Sequence, residues 1–464
     1  MPPTVSNALA RAQLPLSSVS IVVQPLDAIA RTLSVNADTP RNPASVAKLV
    51  TTFVALDQLG PAYTWTTEAL SDGVMAEALS TGVLKGALYL RSNGDPKFNH
   101  ERLWLLLREL RDAGIREIAG DLVLDRSAFA AQSASPGDFD GRPLRPYNAL
   151  PDALFFHYNS VTLRLRPGEQ SVAVGMQPQP DTLRIDNRLR LNQARECGDW
   201  RERLEATPLI SDGVTRLVLS GDYPRVCGER EWHIQALRPN ELLGGTFRRL
   251  WQELGGGFTG QVREGTVPAA ATVIAVSPAP TCGEVVRDIN KFSNNVMARQ
   301  LFLTLGRESL LRNGNPAAAR EADAEAAIAG WLRERRLDLP HLQLINGSGL
   351  AREGRVTAGG LANLLQHAWR SPVMPEFIAS LPITAVDGTL KKRGQGSAAA
   401  GRAHLKTGFL EGVRAIAGYV LDAQGRRWLV VMLVNHAQAG AAREAMDALV
   451  DWVATGAGTA TGER

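Results

Sequence analysis

The sequence predicts a multidomain α/β (α+β) protein, in which strands from both ends of the chain build one antiparallel sheet flanked by helices and a mostly-β region is inserted between them. Three observations carry this. The chain has 464 residues, more than one ordinary core organises. Strand-like alternation near each end brackets a block of helical periodicity. From about Thr66 to Thr266 the texture changes to short β-like runs punctuated by Gly, Pro, Asp and Asn.

In chain order, Ser18-Val-Ser-Ile-Val-Val-Gln reads as a strand and Arg31-Thr-Leu-Ser-Val-Asn as its hairpin partner. Pro40-Arg-Asn-Pro-Ala breaks the chain, and an apolar-rich helix is expected from about Ser45 to Leu59, ending at Gly60-Pro61. In the inserted stretch, Gly86-Ala-Leu-Tyr-Leu, Asp121-Leu-Val-Leu-Asp, Val161-Thr-Leu-Arg-Leu and Arg216-Leu-Val-Leu-Ser read as strands, with helices near 100–113 and 240–254. Helical periodicity returns over 281–306, 317–334, 357–370 and 439–455. A terminal hairpin runs through Val413–Leu421, an Asp422-Ala-Gln-Gly turn and Arg427–Val434, and the tail from Ala454 is expected to fray. The domains follow: 1–66 with 270–464 as one discontinuous unit, and 67–269 as an inserted region of two small β-rich domains.

Hydrophobic content of 44% and charged content of 21% are those of a globular protein. No apolar run approaches the roughly 18 residues of a membrane span. Met1–Leu16 lacks a basic stretch followed by an apolar core, so no signal peptide is expected, and the chain reads as cytoplasmic or as a mature form. A net charge of +4 is too weak and dispersed for a nucleic-acid partner. The seven histidines form no HxH or HExxH pattern and no pairing with cysteine, so neither metal nor other cofactor is expected. Cys197 and Cys227 are compatible with a disulfide or with two thiols, and Cys282 with a small buried hydrophobe.

The cations are unevenly divided, 44 Arg against seven Lys. Only Lys is readily neutralised by burial, so a retained Lys is a candidate for chemistry. Ser45-Val-Ala-Lys48 is the one Ser-x-x-Lys, at a helix start where residues i and i+3 share a face. A neutral Lys one turn along can take the Ser proton, and free N–H groups at the helix start favour an oxyanion. Ser293-Asn294-Asn295 offers a second hydroxyl and an amide, and lies in the helical block; Ser34-Val-Asn36 matches the same pattern but falls on a strand. Lys406-Thr407-Gly408 precedes the terminal hairpin, where Lys and Thr can hold a carboxylate and Gly admits a close backbone.

That ordered set resembles penicillin-binding proteins and serine β-lactamases. The long interval between Ser45 and Ser293 narrows the resemblance to the D-alanyl-D-alanine carboxypeptidase/endopeptidase family, the class C low-molecular-mass penicillin-binding proteins. Gly86-Ala-Leu-Tyr-Leu-Arg-Ser-Asn-Gly-Asp-Pro, Asp288-Ile-Asn-Lys-Phe-Ser-Asn-Asn, Asn346-Gly-Ser-Gly-Leu and Val386-Asp-Gly-Thr-Leu extend it along the chain. It implies a transpeptidase/β-lactamase-like catalytic domain with nested insertions. It also implies a serine DD-peptidase whose partners are peptidoglycan stem peptides and, as covalent inhibitors, β-lactams. Ser45 would be the nucleophile, Lys48 its base, Ser293 the proton relay, Lys406 its electrostatic partner and Asn295 a ligand of the substrate amide.

By the same resemblance Lys406, Thr407 and Gly408 would receive the substrate carboxylate and backbone, and the N–H groups of Ser45 and Phe409 would form the oxyanion hole. Two departures stand out: Phe409 replaces a hydroxyl residue that helps hold the carboxylate, and Asn346 replaces Asp before Gly-Ser-Gly-Leu. Arg352, beside that motif, and Asp152, facing a cationic group of the stem, are further binding candidates. The implied location is the periplasm or outer wall space. The alternatives are a serine β-lactamase and a catalytically weak wall-binding or scaffolding protein of the same fold.

Overall fold

The computed structural model describes residues 1–456 and resolves two compact units, Met1–Thr64 with Pro280 onward, and Trp65–Ala279. In the first unit a five-stranded antiparallel sheet runs in the order Ala403–Leu410, Val413–Leu421, Arg427–Asn435, Val19–Pro25, Leu33–Val35. The first strand of the chain thus pairs with the last, from Val19 opposite Val434 to Pro25 opposite Trp428. Val19–Val23 is buried without interruption, as a strand covered on both faces requires.

One face packs against the closing helix Arg443–Ala454 and the opening helix Pro3–Arg11. The opening helix was not anticipated; Val5, Ala8 and Leu9, spaced i, i+3, i+4, bury against this core. The other face takes the helix Ala358–Trp369. The tail expected to fray begins at Ala454, which closes the last helix, and beyond Gly456 it lies outside the described residues.

The periodicity over 281–306 suggested one helix, but the chain forms two, Cys282–Phe292 and Asn295–Arg312. Ser293 ends the first in the left-handed region (φ 56°), and the Asn294 side chain caps the second by accepting from Met297 N at 3.0 Å. Apolar spacing continues across the break, so periodicity alone does not reveal it. The consequence is functional, because the break falls on a candidate site residue.

Trp65–Ala279 is β-rich, with the helices Met75–Thr81, His100–Asp112 and Pro239–Glu253 among its sheets. Thr272–Ser277 pairs with Thr67–Ser71, which places residues 270–279 in this unit rather than in the first, where the sequence reading had them. The buried apolar side chains of this unit form a large cluster running from Ala69 to Ala275 and a small one of Leu70, Tyr89 and Val123. Cys197 and Cys227 are joined in a disulfide, and Cys282, in the first unit, is a buried free thiol.

Candidate active site

Ser45 lies in a 3₁₀ turn, Ala44–Ala47, that runs directly into the helix Lys48–Leu59. The preceding Ala44 is in the left-handed region (φ 46°), a strained state for a residue with a side chain. Asn42 holds it there: Ala44 N donates to Asn42 Oδ1 at 2.8 Å, and Asn42 Nδ2 donates to Ala351 O at 2.8 Å and Arg352 O at 3.1 Å. Asn42 is buried, so its removal orphans partners that water does not reach. Asn42→Ala is expected to cost about 1–3 kcal/mol of stability, read as a lower urea midpoint, and to slow acylation of Ser45.

Lys48 is fully buried, with Nζ 3.0 Å from Ser45 Oγ, 2.7 Å from Asn295 Oδ1 and 2.5 Å from Ser348 O. Burial first, then the charges of Lys406 and Arg299, hold its ammonium pKa well below the ordinary range. A neutral amine has two N–H donors and one lone pair. The two carbonyl oxygens take the donors, and the lone pair is left for the Ser45 hydroxyl proton. Once that proton has moved, the ammonium finds three acceptors already in place.

The Ser348 carbonyl was not foreseen, because a backbone atom has no residue type to read. Its loop is organised by Asn346, whose Oδ1 accepts from Ser348 N at 3.1 Å and from Ser348 Oγ at 2.8 Å. Asn346 Nδ2 donates to Leu350 O at 3.0 Å, a bond that an ionised Asp in its place could not make. Gly349 (φ 75°) packs against the nucleophile turn so closely that a Cβ would lie 1.9 Å from Ala44 O.

Lys406 is the second buried cation, with Nζ 2.8 Å from Ser293 Oγ and 2.8 Å from Thr407 O. Burial pushes its pKa down to about 7. The helix break at Ser293 is what turns that hydroxyl toward the strand. Gly408 meets the nucleophile turn directly, where a Cβ would stand 2.5 Å from Pro43 O. Ala403–Leu410 is an edge strand, and Leu405 N donates outward to Pro382 O at 2.9 Å. Backbone direction repeats every second residue, so the Phe409 N–H also points to the open edge.

Two supports come from the segment after Pro382. Lys291 Nζ donates to Asp387 Oδ2 and to Leu381 O, both at 2.6 Å, which occupies this lysine structurally. Thr389 Oγ1 lies 3.3 Å from Thr407 Oγ1, a hydroxyl pair that sequence spacing did not suggest.

The structure therefore joins Lys48 directly to Ser45 and Asn295, and Lys406 to Ser293, with Thr407 and Gly408 on the strand of Lys406 and Gly408 against the nucleophile turn. The Arg352 side chain is exposed, and its backbone is tied to Asn42 beside the nucleophile turn. Asp152 belongs to the second unit, where it is half-buried, with its carboxylate 3.1 Å from Arg126 Nη1 and accepting from Leu154 N at 2.9 Å. Its charge is met within its own unit, so the expected contact with a cationic group of the substrate is not carried further.

A sequence profile of the D-Ala-D-Ala carboxypeptidase 3 (S13) family matches residues 3–456. A D-alanyl-D-alanine carboxypeptidase of Actinomadura sp. (strain R39) is 29% identical over 426 residues, which is 86% of this chain and 74% of that protein. The D-alanyl-D-alanine carboxypeptidase DacB of Haemophilus influenzae is 25% identical over 401 residues, 84% of this chain and 80% of that one. Penicillin binding protein 4 (dacB) from Haemophilus influenzae shares the fold, with a TM-score of 0.79 at 22% identity, covering 98% of this chain and 100% of that chain. Its complex with a β-lactam superposes with a TM-score of 0.74 at 23% identity, covering 97% and 99%.

Proposed function

The chain belongs to the D-Ala-D-Ala carboxypeptidase 3 (S13) family and is an enzyme of that family, and on this premise we propose that Ser45 is the nucleophile of a serine DD-peptidase acting on peptidoglycan stem peptides. The observation that carries the reading is the Lys48 amine, buried, disposed to the neutral state and 3.0 Å from Ser45 Oγ.

Neutral Lys48 takes the Ser45 proton as Oγ attacks the carbonyl of the penultimate D-Ala. The N–H groups of Ser45 and Phe409 receive the oxyanion, each donor of this kind being worth roughly 3–4 kcal/mol. The proton taken by Lys48 goes on to the leaving amine through Ser293, which is hydrogen-bonded to Lys406, so that the hydroxyl is restored and Lys48 is neutral again for the deacylating water. The acyl bond to Oγ forms as the peptide C–N bond breaks, and water later hydrolyses the ester. Asn295 keeps its Oδ1 on Lys48, leaving Nδ2 for the substrate amide. Lys406 and Thr407 receive the terminal carboxylate, and Arg352 borders the entrance. β-Lactams are taken by the same serine. Such a substrate places the enzyme in the periplasm or outer wall space; among the described residues no helix is long and apolar enough to cross a membrane.

Incubation with penicillin G should give one penicilloyl adduct by intact mass, mapping to the peptide that contains Ser45. Wall fragments should lose free D-Ala or separate at their cross-links. No adduct, or an adduct that persists in Ser45→Ala, would sink the reading. Fast turnover of a chromogenic cephalosporin would point to a β-lactamase instead.

A further inference from the structure

At the Lys406–Gly408 segment the first unit opens a groove of about 400 Å³, and the reaction above uses only its Thr407–Phe409 wall. Thr407 and Gly408 belong to its lining. Lys392, Arg393, Arg414 and Arg443 contribute to its walls, and no carboxylate does. These cations come from three separate places: the segment after the Gly388–Leu390 turn, the strand Val413–Leu421 and the closing helix. Asp447 is the acid that meets them, 2.5 Å from Arg393 Nε and, through its other oxygen, 3.8 Å from Arg443 Nε. Four cations against one carboxylate leave the groove strongly positive.

A row of exposed arginines is ordinarily a solvated face. Here they converge on a concavity, and one is fastened in place. Arg414 Nη1 donates to Val413 O at 2.8 Å and Leu410 O at 3.1 Å, and its guanidinium carbon lies 3.7 Å from the Phe409 ring centroid. Phe409 is thus more than a lost hydroxyl, since its exposed ring is the mount for a guanidinium beside the carboxylate-binding strand. A cation immobilised before binding loses little freedom when an anion arrives.

We propose that this groove binds the carboxylate-bearing peptide of a large leaving group, and so favours cross-linked stems over stems that end in D-Ala. The inference rests on the reading of Ser45, Lys406 and Thr407 given above. Thr407 marks the junction: the carboxylate next to the scissile bond stops there, beside Thr389 Oγ1. A free D-Ala leaving group ends at that point and presents nothing to Lys392 or Arg443. A leaving amine that belongs to a second stem peptide continues past it with further carboxylates, which is the chemistry these cations recognise.

The test is a double variant, Lys392→Gln with Arg443→Gln, assayed on a cross-linked peptide dimer, on a monomer that releases D-Ala, and on penicillin G. Neither residue touches the reacting groups, and both are exposed, so the variant should unfold at the temperature of the parent. We expect kcat/KM for the dimer to fall about tenfold, mainly through KM, with a flatter dependence on salt. D-Ala release and the rate of penicillin acylation should stay within about twofold. A dimer amidated on the leaving strand at every carboxylate except the one next to the scissile bond should react with the parent about as slowly as the untreated dimer does with the variant.

Equal losses on dimer and monomer, or no loss on the dimer, would overturn the proposal while leaving Ser45 untouched. Failure of the parent to form a penicilloyl adduct would instead strike the underlying reading.

Discussion

Lys48→Arg is expected to fold and yet to acylate nearly as poorly as Ser45→Ala. The substitution keeps a long cationic side chain, so a role in packing or in charge alone would tolerate it. What it removes is the neutral state. A guanidinium stays protonated at any pH the fold survives, whereas burial and the charges of Lys406 and Arg299 push the Lys48 amine toward neutrality. Without a lone pair 3.0 Å from Ser45 Oγ, the hydroxyl has no base. Loss of a positioned base costs about 10²–10⁴-fold. Groups that act as a unit are not additive, so Ser45→Ala, Lys48→Arg and the double variant should cluster together. Acylation followed by stopped-flow with a fluorescent penicillin measures this, and an Arg variant within tenfold of the parent would remove Lys48 from the role of base.

The second large effect is one of pH. Lys406 has its pKa pushed down to about 7 by burial, so in the free enzyme its charge is lost as pH rises through that region. The charge is what attracts the substrate carboxylate. For anionic peptides kcat/KM should therefore have an alkaline limb with a midpoint near 7, since that ratio reports groups of the free enzyme. Bound carboxylate favours the charged amine and should move the limb of kcat upward. Lys406→Arg should remove the limb below pH 9 or so, and Lys406→Met should flatten the profile and lower it by roughly 10²-fold. A substrate with its carboxylate amidated should show no limb in any form. An alkaline limb that survives unchanged in Lys406→Arg would assign it to another group.

Stability runs the other way. The folded-state pKa of Lys406 lies below its ordinary value of 10.5, so between about 7 and 10.5 the unfolded chain binds more protons than the folded one. Its contribution to stability rises with pH across that window and is withdrawn as pH falls through it. Activity and stability are set against each other on one buried amine, as a site built for charge rather than for packing requires.

Much of this was legible in the residues. The order Ser45-Lys48, Ser293-Asn295, Lys406-Gly408 named the chemistry, and the alternation at both ends announced a sheet closed by the two termini. Other features were hidden for identifiable reasons. The break at Ser293 lies inside unbroken apolar spacing, and a single left-handed residue has no periodicity. The opening helix Pro3–Arg11 is not evident in the sequence because its three buried apolar residues have meaning only against the closing helix. Asp152 reads as an available loop carboxylate, yet it is half-buried and paired with Arg126 at 3.1 Å.

By itself, then, the sequence singled out the side chains proposed to do the chemistry and the order in which the chain presents them, because residue type and short-range spacing are local properties. Only the tertiary structure decided the states of those side chains. The lowered pKa values of Lys48 and Lys406 come first from desolvation by the elements packed around them. The third partner of Lys48 is a backbone carbonyl, Ser348 O, on a loop 300 residues downstream. Phe409 read as a missing hydroxyl until Arg414 was found lying on its ring. Long-range packing sets dielectric and direction, and neither is written at any single position in a chain.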